Sequence, residues 1–173
     1  PPFKAVLEAW ALADIHSGHA EMALQRYREA YPDPNLMSWA NDFGDSLRAP
    51  VLYAVLHRLT RDEVAAERLL RELLEKVQSQ PLNGPEGVGF TRFTIYAFLG
   101  ETDLAIAALE EALKAGWSAG WWGLKDGSFD PNYAAVLADP RFIKLYADIE
   151  SRVRRMREDF FAHPELPEEL QFH

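Results

Sequence analysis

Three segments of this chain carry similar residues at the same four offsets. Gly18, Ala23, Tyr27 and Ala30 stand at 0, +5, +9 and +12. Gly100, Ala105, Leu109 and Ala112 repeat the spacing, and Arg61, Ala66, Leu70 and Leu73 repeat it more loosely. Residues 95–116, IYAFLGETDLAIAALEEALKAG, show what the pattern encodes. One helix ends, Gly100-Glu101-Thr102-Asp103 makes a tight turn, and a second helix places Ala105, Leu109, Ala112 and Leu113 on one face. The two alanines let a neighbouring helix approach closely, and Leu109 fills the gap between them. Such a hairpin leaves an apolar face bare, so it needs another hairpin beside it, and about three are the minimum for stability. Positions 18, 61 and 100 lie 43 and then 39 residues apart. That exceeds the roughly 34 residues of an uninterrupted two-helix repeat, and the excess falls in the connections 35–45 and 81–89.

Along the chain, residues 3–16 are apolar at Val6, Leu7, Trp10, Ala11 and Ile15, a helical face broken by Ser17-Gly18. A second helix over 19–31, with Met22, Ala23, Tyr27 and Ala30, stops at Pro32-Asp33-Pro34. Residues 35–45 are irregular. Ser46 is a candidate cap for a helix through Leu59. Thr60 or Asp62 starts the next, which carries Val64, Leu69, Leu70, Leu73, Leu74 and Val77 to about Gln80. Helices over 90–99 and 102–115 follow the glycine- and proline-rich stretch 81–89.

Residues 116–129, rich in Trp and Gly, read as a packed loop. Asp130-Pro131 and Asp139-Pro140 each set a capping carboxylate before a proline at the first helical position, predicting helices over 131–137 and 140–161. In the longer one Phe142, Leu145, Ile149, Val153, Met156 and Phe160 recur three or four apart, which predicts a buried stripe. No segment alternates like a half-buried strand. The expectation is an all-α fold: one domain over 1–162 with hairpins at about 3–31, 46–80 and 86–115, a helical cap over 130–161, and a frayed tail at 163–173.

The 173 residues, 48% apolar, suffice for one domain with a core. A net charge of −9 argues against a general nucleic-acid binder, because phosphate contact needs concentrated positive charge. The absence of cysteine excludes disulfides, thiolate metal sites and a cysteine nucleophile, and fits a reducing or an oxidising compartment alike. No apolar run reaches the roughly 20 residues of a membrane span. The chain opens Pro-Pro-Phe with no visible signal peptide, which reads as an excised or processed piece of a longer polypeptide. The cytoplasm is the preferred compartment, or the periplasm if the parent carries an upstream membrane span.

WALADIHSGHAEMALQRYREA and YAFLGETDLAIAALEEAL, with their turn glycine, small residue, aromatic or Leu, and second Ala, resemble tetratricopeptide (TPR) repeats over most of residues 3–116. Two departures stand out. Phe93 occupies a position where the repeat keeps a small residue, as Ala11 and Ala54 do, and the second hairpin lacks the turn glycine. The order GW…WW…FDPNYAAVLADPRFIKLYADIESRVRRMR is similar to the C-terminal end of TPR regions in larger bacterial signalling proteins, namely winged-helix regulators or adenylate-cyclase-type proteins. The resemblance implies a TPR-like α-solenoid. It implies a non-catalytic protein–protein interaction or sensory module for signal transduction or transcription regulation, with DNA binding or catalysis elsewhere in the parent. It also implies that the first helix of each hairpin lines a concave partner groove, at Glu8 and Leu12, Val51 and Val55, and Phe90 and Thr94. The Lys/Asn clamp that some TPR domains use on C-terminal carboxylates is missing, since Glu8 stands where a lysine would be needed.

Other motifs carry less. His16 and His19 form an HxxH, but Ser17-Gly18 breaks the helix between them and no third ligand is near, so no metal site is expected. Asp42-Phe43-Gly44 spells the kinase metal-binding tripeptide without a Gly-rich loop or catalytic-loop motif. Gly84, Gly87 and Gly89 match no phosphate-binding fingerprint. Glu110-Glu111, Asp62-Glu63 and Glu158-Asp159 read as solvated faces, and no serine has a nucleophile elbow around it. Catalytic residues and cofactors are therefore not expected. Trp117, Trp121 and Trp122 fit a structural plug sealing the last hairpin better than an aromatic ligand cage. Lys144, Arg152, Arg154, Arg155 and Arg157 make the last helix basic, a solvated face or a surface for DNA, anionic lipid or an acidic partner. Two alternatives follow from these segments: a small-molecule sensor or enzyme domain built on 116–129, and a homodimer formed through helix 140–161.

Overall fold

The computed structural model describes residues 4–31, 48–78, 88–117 and 120–162, and among these every regular element is helical, so the chain is all-α. The helices are α1 Lys4–His16, α2 Ala20–Ala30, α3 Arg48–Leu59, α4 Glu63–Gln78, α5 Val88–Leu99, α6 Thr102–Lys114, α7 Pro131–Leu137 and α8 Pro140–Ala162, with a 3₁₀ segment Trp121–Lys125. Helix α5 begins two residues before the expected start, and the 3₁₀ turn replaces part of the expected loop. Ser46, the connection 35–45 and the tail 163–173 lie outside the described residues.

The three turns are built alike. Gly18, Arg61 and Gly100 all take positive φ, at 76°, 69° and 77°. In each, the following N–H reaches back to the carbonyl five residues earlier: His19 to Asp14 at 2.7 Å, Asp62 to His57 at 2.8 Å, Glu101 to Tyr96 at 2.9 Å. The turn residue itself bonds three back, as Gly18 does to Ile15. This left-handed cap satisfies the last carbonyls of the first helix and reverses the chain. Arg61 adopts it despite its Cβ, so the second turn keeps the shape without the glycine. Of the two expected starts for α4, Asp62 is the one that caps, accepting from the Ala65 N–H at 3.1 Å. That bond, and then the His57 ring 3.1 Å away, hold the Asp62 carboxyl below its ordinary pKa.

Helices pair as α1 with α2, α3 with α4 and α5 with α6, and each pair touches the next in chain order. Ala23, Tyr27, Ala66, Leu70, Leu73, Ala105, Leu109 and Ala112, the residues of the offset pattern, are all buried, while Ala30 is partly so. Some apolar residues of the expected faces stay outside: Val6, Trp10 and Met22 are partly exposed and Val64 is almost wholly so. Trp10 instead lies under the Arg26 guanidinium, 5.6 Å from the ring centroid.

Helices α7 and α8 close the third hairpin. Phe93 is the hinge of this contact, stacked on Phe142 of α8 at 5.8 Å and edge-on to Tyr133 of α7 at 5.7 Å. Asp130, fully buried, caps α7 by accepting from the Asn132 and Tyr133 N–H groups at 2.9 and 3.1 Å. It also pairs with Arg58 of α3 at 3.2 Å. The same guanidinium donates to the Phe98 carbonyl at the end of α5, and the Asn132 amide donates to that oxygen at 3.1 Å. At the next corner Asp139 accepts from the Arg141 N–H at 2.8 Å and pairs with its side chain. Arg141's guanidinium, and then its N–H, hold the Asp139 carboxyl down at about 2. Arg141 reaches on to Asp103 of α6 at 2.8 Å.

The stripe of α8 is only half buried, a correction to the periodicity. Phe142 and Ile149 are buried and Leu145 and Val153 pack partly, but Met156 and Phe160 are exposed. Periodicity marks a face without saying how far a neighbour extends along it.

Candidate functional site

The first helices of the three hairpins share one concavity. From α1 come Glu8 and Leu12, from α3 Arg48, Val51 and Leu52, and from α5 Phe90, Thr91, Thr94 and Phe98. The rest comes from the Trp/Gly segment, as Gly123, Asp126, Gly127 and Phe129, together with Tyr133 of α7. Its cavity volume is about 70 Å³. That exceeds the roughly 10–15 Å³ a water needs and is about half the volume of a cavity known to hold benzene, roughly 150 Å³. The space suits the end of one apolar side chain or a few waters.

Each part of the lining is held from behind. Trp117 stacks on Phe90 at 5.2 Å with the rings 9° apart. Gly127 lies so close to Tyr133 that a Cβ there would sit 2.6 Å from the ring. Phe98 leans on Tyr133 at 4.7 Å. The Tyr133 hydroxyl donates to the Leu124 carbonyl at 3.0 Å, tying α7 to the 3₁₀ segment. Burial pushes the Tyr133 phenol well above its ordinary pKa, so it stays neutral at physiological pH. The Thr94 hydroxyl donates to the Phe90 carbonyl one turn back at 3.0 Å. The site's charges are Glu8, Arg48 and Asp126. Arg48 and Asp126 are bonded to each other at 3.2 Å, bridging α3 and the Trp/Gly segment.

The Tyr133, Thr94, Arg48 and Asp126 side chains of the lining are each engaged. Both hydroxyls donate to backbone carbonyls, and neither makes a bond to a base. The ion pair is solvent-exposed, which limits it to about 0–1 kcal/mol, so an incoming charged group can displace it at small cost. The concavity thus has an apolar floor and a charged lip.

Of the six residues expected to line a partner groove, Glu8, Leu12, Val51, Phe90 and Thr94 line this concavity. Val55 does not: it is fully buried, because α3 is covered by α1, α2, α4 and α5 and its far face meets no solvent. Sequence reasoning missed Phe98, although Phe90, Thr94 and Phe98 follow at i, i+4 and i+8 on one helix face. It also missed Asp126, Gly127 and Phe129, which lie outside the repeat and carry no periodic signal.

The other candidates separate. His16 and His19 are both exposed, with His16 bonded to the Leu12 carbonyl at 2.7 Å. Among the described residues no group of three His, Asp or Glu side chains could hold a metal ion. Asp42-Phe43-Gly44, Gly84 and Gly87 lie outside the described residues. Trp117 is buried and Trp121 packs edge-on to Tyr146 of α8 at 5.4 Å, as a plug requires. Trp122 departs from that expectation, being 69% exposed. Glu110, Glu111, Glu158, Asp159, Lys144, Arg152, Arg154, Arg155 and Arg157 lie on exposed faces. No described helix is long and apolar enough to cross a membrane. Comparison with family models, curated proteins and solved structures finds no match for this chain.

Proposed function

We propose that this chain is a TPR-like α-solenoid, a non-catalytic module that binds a protein or peptide partner within a larger bacterial signalling or transcription-regulatory protein. The observation that carries the reading is the concavity to which the first helix of every hairpin contributes, with Glu8, Leu12, Val51, Phe90 and Thr94 brought together from α1, α3 and α5. The equal turns at Gly18, Arg61 and Gly100 support it, because a shared turn gives successive hairpins the same shape. In this reading a partner lays an extended or helical segment across the first helices and inserts one apolar side chain between Phe90, Phe98 and Phe129. A small-molecule sensor built on residues 116–129 gains a wall in Gly123–Phe129 but little room, at about 70 Å³.

Selection of a displayed peptide library on the purified chain tests the reading. Selected peptides carry an apolar anchor, and Leu12→Trp, which fills the concavity, weakens them at least about tenfold, or roughly 1.4 kcal/mol. Selected peptides that bind the Leu12→Trp chain as tightly as the parent chain overturn it.

A further inference from the structure

A second surface lies on the last helix, away from the concavity residues. From Arg154 to Ala162 every residue of α8 is exposed, a length of roughly 13 Å at about 1.5 Å per residue. That stretch is not a uniformly polar extension. Met156 and Phe160 continue the stripe begun by Phe142 and Ile149, yet they are 57% and 63% exposed. Phe161 beside them is 66% exposed, with the Arg157 guanidinium 5.7 Å from its ring. Folded chains seldom leave adjoining large apolar side chains in water unless something covers them.

The charges say what kind of cover fits. At about 100° per residue Arg152 and Arg157 fall on the two sides of the Met156 and Phe160 stripe, with Asp159 on the Arg152 side and Glu158 on the back. Arg152, Arg154, Arg155 and Arg157 are all exposed, against the two carboxylates Glu158 and Asp159, on a chain of net charge −9. The helix end is thus a basic, apolar-faced projection from an acidic molecule. A second copy of α8 laid parallel along it brings Arg152 of one helix against Arg157 of the other. A helix with its own apolar stripe and flanking carboxylates meets both the side chains and the charges.

We propose that the Met156–Phe160 face of α8 docks an acidic amphipathic helix of a partner protein. Met156 and Phe160 are the anchors, and Arg152 and Arg157 set the orientation by pairing with carboxylates on either side.

The test uses the full chain and a fluorescent synthetic helix with leucine at every third and fourth position and glutamate on its flanks. A twin peptide carries lysine in place of glutamate. Two double variants are compared, Met156→Ser with Phe160→Ser and Arg152→Glu with Arg157→Glu. All four side chains are exposed, so the helical signal and melting point stay unchanged, which separates lost binding from lost folding. The glutamate peptide is expected to bind, to weaken at least about tenfold in each double variant, and to weaken as salt shortens the screening length. The lysine peptide is expected to bind at least about tenfold more weakly. The proposal is overturned if the glutamate peptide does not bind, if the two peptides bind alike or if the variants bind as the parent does. It is also overturned if the face holds phosphatidylserine vesicles in preference to the peptide, or if the chain sediments as a dimer that the Met156/Phe160 variant splits.

Discussion

Hairpin meets hairpin in one way in this molecule, and hairpin meets cap in another. Seven residues before the turns stand Ala11, Ala54 and Phe93. The two alanines are buried in α1 and α3, helices that touch each other, and they leave room for backbone to approach backbone. Phe93 is equally buried, but its neighbours are the rings of Tyr133 and Phe142. The first two positions are filled by a methyl group and the third by a ring that meets two others. The third hairpin is therefore shaped at this position to receive aromatic rings of the cap. The cap contact also carries a buried charge pair, Arg58 with Asp130, for which the contact between the first two hairpins shows no counterpart among the described residues.

The sharpest way to break that contrast is to exchange the residues. Phe93→Ala removes a fully buried ring from between two others, and a loss of about 3–5 kcal/mol is expected. Ala54→Phe should not be rescued by the same aromatic logic, since α3 has helices on all sides, and overpacking there costs about 1–3 kcal/mol or more. Urea unfolding of both variants reads the difference. If Phe93→Ala costs less than about 1 kcal/mol, the cap is not held by this ring.

The polar half of the cap contact is the next test. Asp130→Ala removes the cap of α7 and takes from the Arg58 guanidinium, itself only 11% exposed, its buried carboxylate, leaving it the exposed Glu63 at 3.0 Å. A loss of about 3 kcal/mol is expected, while Asp130→Asn keeps the cap and loses about 1 kcal/mol less. A cycle with Arg58→Met separates the pair from the cap, because the cost of Asp130→Ala should fall once the buried cation has gone. Equal costs in both backgrounds would assign the whole effect to capping.

How much of this was legible depends on whether the information is local. The bounds of α7 could be read to the residue, because Asp-Pro fixes both a cap and a first helical position. The all-α class followed from periodicity. Glu8, Leu12, Val51, Phe90 and Thr94 line one concavity, at ten or six residues before their turns on the three first helices. Val55 does not, since its burial depends on how many helices surround α3, which no local pattern states. Asp126, Gly127 and Phe129 enter the site from a segment with no repeat to align. The exposed end of α8 was invisible for the converse reason: its stripe is as regular at Phe160 as at Phe142, and only the neighbours differ. Phe93 was visible as a departure from the repeat, but its cause lies about 40 residues away in Tyr133 and about 50 away in Phe142.

The smallest expected effect concerns the turns, where the hairpins are alike in shape and unlike in sequence. Gly18 has nothing within 4 Å of where a Cβ would stand, so its glycine serves the backbone angle alone. Gly100 serves both angle and space, since a Cβ there would sit 3.3 Å from the Asn132 amide that bonds the Phe98 carbonyl. Arg61 holds the same angle with a full side chain, which strains a left-handed residue by about 1 kcal/mol. Arg61→Gly relieves that strain, partly offset by the freedom glycine gains in the unfolded chain, and a stabilisation of about 0.5–1 kcal/mol is expected. Chemical denaturation midpoints with an unchanged slope would record it. A destabilised Arg61→Gly chain would mean that the arginine side chain gives more than its backbone angle costs, and that the second turn is specified by its charge and not by its conformation.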